Sequence, residues 1–196
     1  MKKGLVVLLG IVGFFVLVGM YLMGAYNVLV KMDEGVNQAW AQVENVYQRR
    51  LDLIPNLVET VKGYAAHEKS TFVEVAEARA QAAGSLKPDA INDPQKFAQF
   101  EQSQTALSSA LSRLLVIVER YPELKANQNF LSLQAQLEGT ENRISVERGR
   151  FNEAAQGFNT HLRQFPTNVL GGLFGFKLKE YFKSQPEAAT APKVRF

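Results

Sequence analysis

The sequence predicts an all-α membrane protein: an N-terminal transmembrane helix followed by an elongated antiparallel bundle of three or four long helices with coiled-coil-like packing. Three observations predict it. Residues 4–30 form an uncharged, strongly apolar run. Three later segments carry apolar residues at heptad spacing. The remaining composition is rich in Gln, Glu, Ala, Leu, Arg and Asn, the bias of long helices.

The apolar run would extend about 40 Å as a helix, more than the ~30 Å hydrocarbon core requires. A cleaved secretory signal has a shorter apolar core and small residues before the cleavage point, and Met23-Gly24-Ala25 fits that poorly. Residues 1–30 are therefore read as a retained anchor. Glycines 4, 10, 13, 19 and 24 never fall four apart, so no strict GxxxG face is present. Lys2 and Lys3 precede the run and Lys31 follows it. The positive-inside rule leans by this margin toward an external, periplasmic domain, with a cytoplasmic domain as the alternative.

Residues 31–183 form the second predicted unit. In its first segment, Trp40, Tyr47, Ile54 and Val61 make one row, and Val36, Val43, Arg50 and Leu57 make its companion. Phe97, Gln104, Leu111 and Val118 run beside Phe100, Leu107 and Leu114 in the second. The third repeats Phe130, Leu137, Ile144, Phe151, Phe158 and Phe165. A sustained seven-residue repeat keeps one seam toward a partner helix and implies a left-handed supercoil.

Residues 84–94 read as a loop, after which Asp93 caps a helix with Pro94 at its first position. Tyr121-Pro122 ends that helix, and the third starts at the Pro122-Glu123 junction. Pro55 should kink or interrupt the first segment. Asp52 could cap a fresh helix there, and Gly63 and His67 mark a second weak point. An unbroken first segment, Val36 to Ala82, would extend roughly 70 Å. On that geometry the third helix ends far from the membrane. Residues 184–196 read as a loosely ordered tail.

No pattern of catalytic residues is visible, so the chain is not expected to be an enzyme. It has no cysteine, two histidines and a formal net charge of +3. Neither histidine has a ligand partner at helical spacing, and a zinc site needs three or four ligands. P-loop, nucleophile-elbow and dinucleotide patterns are missing. No metal or cofactor is expected, nor is nucleic acid, because basic residues never cluster beyond pairs. Two features remain. Arg50, Gln104, Thr140, Arg143 and Glu147 form a candidate polar seam, where such residues ordinarily set register and partner choice. Val169, Leu170, Leu173, Phe174 and Phe176 form a candidate partner contact at the distal end, unless that segment folds back to cap the bundle.

Several stretches carry a family resemblance. They include Tyr26-Asn27-x-Leu29-Val30, Gln48-Arg49-Arg50-x-Asp52-Leu53-Ile54-Pro55-Asn56-Leu57-Val58 and Val61-Lys62-Gly63-Tyr64-Ala65-x-His67-Glu68. Further along stand Glu119-x-Tyr121-Pro122-x-Leu124-Lys125-Ala126-Asn127, Glu138-Gly139-Thr140-Glu141-Asn142-Arg143-Ile144, Phe165-Pro166-x-Asn168 and Phe174-Gly175-Phe176. In this order, and over almost the whole chain, they resemble the LemA family of bacterial membrane proteins, which also includes MamQ, associated with magnetosome membranes. The resemblance implies a short N-terminal anchor and a long-helix domain. It implies no catalytic residues.

The expected function is that of a non-enzymatic scaffold or oligomerising protein at a bacterial inner membrane. The alternative is a tethered receptor or adaptor that binds a ligand between helices around Arg50, Arg143 and Glu147. Expected partners are membrane lipid, further copies of the chain, and a membrane or envelope protein.

Overall fold

The computed structural model describes residues 2–183, with side chains from residue 4 onward. The expected tail, 184–196, lies outside the described residues. Helix α1 runs without a break from Lys2 to Lys62. It is followed by α2 (Lys69–Ser85), a 3-10 turn (Pro88–Asn92), α3 (Pro94–Val118), a short α4 (Pro122–Lys125), α5 (Gln128–Arg163) and α6 (Thr167–Phe174). Among the described residues there is no strand.

The first part of α1 is long and apolar enough to cross a membrane, and none of its apolar window is buried in the protein. The change comes at Leu29, the first fully buried side chain of α1. From there the heptad rows hold: Val36, Trp40, Val43, Tyr47, Ile54, Leu57 and Val61 are all buried. The third row does the same from Phe130 through Phe158. It fails at Phe165, because α5 has already ended at Arg163. α1 packs chiefly on α5, and α2 chiefly on α3.

Pro55 does not interrupt α1. A proline has no N–H, so the carbonyl four residues earlier loses its helical donor. That carbonyl is Leu51 O, and Arg79 Nε of α2 donates to it at 2.9 Å. The side chain supplied from the neighbouring helix thus replaces the bond that the proline removes. Arg79→Ala is expected to cost about 1.5–3 kcal/mol, the range for a bond to a charged donor. In a Pro55→Ala background the restored backbone N–H can donate to Leu51 O, and the same change should cost little. Denaturant titrations of the four proteins measure this coupling, and additive effects would refute it.

The reversal lies instead at Gly63–Glu68, where Tyr64 N and Ala65 N both donate to Val61 O and Glu68 N donates to Ala65 O. The bundle therefore has four long helices. This extra reversal corrects the expected geometry. With three helices the last one would finish at the distal end; with four, every later element changes direction and α5 returns to the anchor. Tyr26 on α1 shows it directly, its ring lying 4.9 Å from Phe174 and 5.9 Å from Phe176.

The caps follow sequence chemistry. Asp93 accepts from Gln95 N at 2.9 Å and Lys96 N at 3.3 Å, and Pro94 occupies the first helical position. The long helix expected to begin at Pro122 starts later, and it is the fourth rather than the third. Residues 122–125 form a separate turn, and Asn127 caps α5 by accepting from Phe130 N at 3.0 Å. Gly175, at φ 77°, ends α6, and Phe176 N donates to Gly171 O at 2.9 Å. This is the left-handed C-cap that glycine adopts without penalty.

Candidate functional site

The core is divided in two along the rod. The distal cluster holds Leu51 to Val61 of α1 with the apolar faces of α2 and α3 and Phe130 and Leu137 of α5. The proximal cluster holds Leu29 to Tyr47 with Phe97, Phe100, Ile144, Phe151 and Phe158. Between them lies a layer of buried polar groups: Arg50, Ser103, Gln104 and Thr140.

Arg50 is 2 % exposed and centres this layer. Its Nη2 donates to Ser108 Oγ at 2.6 Å and to the Gln104 carbonyl at 3.5 Å. Its Nε lies 3.0 Å from Glu141 Oε1. The N–H there is not aimed at the carboxylate, so the two make a charge contact without a hydrogen bond. Burial pulls the Arg50 guanidinium below its ordinary pKa, and Glu141 opposes that shift. Burial likewise pushes the Tyr47 phenol up, against the charges of Arg148 and Arg50. Ser85 and Ser103 share a hydroxyl contact of 2.6 Å, and Gln104 Nε2 donates to Ala82 O at 3.4 Å.

A cavity of about 260 Å³ opens beside the layer, lined among others by Tyr47, Arg50, Glu101, Gln104, Glu141 and Arg148. Arg148 faces Glu101 across it at 3.6 Å. Opposite charges thus meet twice on its walls, and the buried Gln104 Oε1 has no partner. Such a lining is suited to polar or zwitterionic groups rather than to an apolar ligand.

The structure gathers only part of the expected seam. Arg50, Gln104 and Thr140 are buried at one level, although Thr140 Oγ1 spends its hydrogen bond on Gln136 O, at 2.7 Å. Arg143 is exposed on the outside of α5. Glu147 is half-buried and pairs with Arg150, at 2.8 Å, away from the layer. Glu141, Ser108, Glu101 and Arg148 belong to the site but escape heptad reasoning, because they flank the seam rather than occupy it.

The second expected site, after α5, stands at the anchor end. Val169, Leu173 and Phe174 are exposed, Leu170 is buried and Phe176 is half-buried. Beside the buried Leu170, Gly171 faces α5 so closely that a Cβ there would run into the Leu162 side chain.

One feature of this end has no heptad signal. After α6 the chain runs extended along α5, held by two asparagines. Asn159 accepts from Lys179 N and donates to Lys179 O, both at 2.8 Å. Asn152 does the same for Phe182, both at 2.9 Å. Each side-chain amide mimics one rung of a β-ladder. The buried Lys179 ammonium meets Asp33 Oδ1 and Asn92 Oδ1, each at 2.7 Å. Asn159→Ala leaves the Lys179 N–H and carbonyl unpaired and is expected to cost about 1–3 kcal/mol. The cost is capped by detachment of the strap, so amide exchange at Lys179 and Phe182 should quicken more than exchange in α5. Unchanged exchange there would contradict the clamp.

Among the described residues, no three His, Asp or Glu side chains gather closely enough to hold a metal ion. Residues 39–196 match the LemA family. The chain is 29 % identical to magnetosome protein MamQ 1 of Paramagnetospirillum magneticum, over 84 % of this chain and 67 % of that protein. Its identity to magnetosome protein MamQ of Magnetospirillum gryphiswaldense is also 29 %, with the same coverage. It is 21 % identical to protein LemA of Metamycoplasma hominis, over 75 % of this chain and 64 % of that protein. The family match takes in most of the bundle, its polar layer and the strap, and on it the chain belongs to the LemA family.

Proposed function

We propose that this protein is a membrane-anchored, non-enzymatic scaffold that oligomerises or holds partner proteins at a bacterial inner membrane. The observation that supports this reading most is the continuity of α1 from Lys2 to Lys62. One helix supplies both the apolar span and a full wall of the bundle core. No flexible linker separates them, so the rod is rigidly joined to its anchor. An enzyme tethered for location alone gains nothing from such stiffness, whereas a scaffold transmits position and direction through it. The charge bias around the span favours the external side for the rod.

Light scattering of the full-length protein in detergent, together with crosslinking in native membranes, tests the proposal. Oligomers or reproducible crosslinked partners are the expected result. A strictly monomeric protein that crosslinks to nothing would overturn it.

The polar cavity supports a second reading, a receptor or adaptor that takes a polar ligand beside Arg50 and Glu141. Ligand-induced thermal shifts that vanish in Glu141→Ala would favour it, and a flat response across ligand pools would count against it.

A further inference from the structure

We infer that α6 and its flanks are a second membrane contact, an interfacial helix that lies in the headgroup–acyl boundary of the bilayer spanned by α1. The inference rests on the reading of α1 as a membrane anchor. About 20 helical residues cross the hydrocarbon core, so a span that starts at Gly4 or Leu5 leaves it near Gly24 or Ala25. Tyr26 then sits at the interface, where aromatic rings concentrate. The bundle begins directly there, since Leu29 is already fully buried. Tyr26 is also the residue whose ring meets Phe174 and Phe176. The α6 segment is thereby fixed at interface depth.

Its surface fits that depth. Val169 is 62 % exposed and Leu173 75 %, and their spacing by four puts them on one face of α6. Phe165, just ahead of the helix, is 84 % exposed, and Phe174 and Leu178 extend the patch. The opposite side of α6 is already used: Thr167, Leu170 and Gly171 are buried. No charged residue lies within Thr167–Phe174, while the exposed cations Arg163 and Lys177 flank it. An apolar stripe bordered by cations is the pattern of helices that lie in the membrane plane and meet anionic headgroups. The asparagine clamp holds the chain on the far side of α6, so the helix is presented by a fixed frame. A span alone would let the rod swivel and lean; a second contact beside it sets the rod's angle to the membrane.

The protein has no native cysteine, so single-cysteine variants can be labelled cleanly with a polarity-sensitive fluorophore. Full-length Leu173→Cys, Phe15→Cys and Val116→Cys proteins are placed in vesicles of phosphatidylcholine and phosphatidylglycerol, with and without acyl-brominated lipid. The inference expects a blue-shifted Leu173 label that loses emission to lipids brominated near the headgroup and is shielded from aqueous iodide. The Phe15 label should respond most to deep bromines, and the Val116 label only to iodide. A Leu173 label open to iodide and blind to bromine, beside a normally quenched Phe15 label, overturns the inference while leaving the anchor intact. A Leu173 label shielded from both quenchers means that a protein surface covers α6, and also overturns it. A Phe15 label that no brominated lipid quenches defeats the anchor reading itself, and the inference with it.

Discussion

Trp40→Ala is expected to be among the most destabilising single substitutions in this protein, at about 3–5 kcal/mol. Trp40 sits where three separate parts of the chain meet α1. Its ring lies 5.2 Å from Phe100 of α3, 5.5 Å from Phe151 of α5 and 6.2 Å from Phe182 of the strap. Removing it opens a cavity that no neighbour can close, because Phe151 and Phe100 are themselves held in the heptad seam. The indole Nε1 is buried and makes no well-aligned hydrogen bond, meeting only the Glu44 carboxyl one turn along α1. Trp40→Phe removes that poorly satisfied donor while keeping most of the ring, so its cost should be well below that of alanine. Denaturant unfolding of the full-length protein in micelles measures both. Equal losses for Phe and Ala would mean that ring packing is not what Trp40 contributes.

The second large effect is expected in the polar layer. Glu141→Ala leaves the Arg50 guanidinium buried with no counter-ion. Breaking a fully buried pair in this way costs about 3–5 kcal/mol. Glu141 itself is 44 % exposed, and the cavity admits water to the pair, so about 2–3 kcal/mol is the expected cost here. The paired change Arg50→Met with Glu141→Leu removes both charges and fills similar volume. It should be close to neutral, because desolvation of a buried pair roughly cancels its attraction. If the double variant is as unstable as Glu141→Ala, the layer contributes net stability rather than register. If it is stable yet populates several oligomeric or conformational states, the layer acts as the specificity device that seam polar residues provide elsewhere.

Most of this architecture is written in local patterns. The anchor needs only length and the absence of charge. The heptad rows name most of the core side chains, because within a helix a residue's place on the seam largely sets its burial whatever the order of the helices. Even Arg50, Gln104 and Thr140 are visible as polar exceptions on that seam. What local pattern cannot carry is the number of reversals. Pro55 looks like a break and is not one, since Arg79 from another helix repairs it. Gly63 and His67 mark a weak point in Gly63-Tyr64-Ala65-Ala66-His67-Glu68, but one glycine and no proline do not say that the chain reverses there. That one turn decides whether the segment after α5 stands at the far tip or beside the membrane. The asparagine clamp is hidden for a related reason. Asn159 and Asn152 act on backbone atoms 20 and 30 positions away, and no periodicity announces a strap. Arg143 and Glu147 show the opposite limit, since the sequence assigns both to the polar seam and neither enters the layer.

The return of α5 to the anchor is the claim on which the placement of α6 depends. It is tested most directly by crosslinking in a chain that has no cysteine of its own. Tyr26→Cys with Phe174→Cys, in the full-length protein in membranes, should join rapidly within one chain through a short thiol crosslinker. Tyr64→Cys with Phe174→Cys should not. A fast intrachain link between positions 64 and 174, with none between 26 and 174, would place the end of α5 at the distal tip and contradict the account.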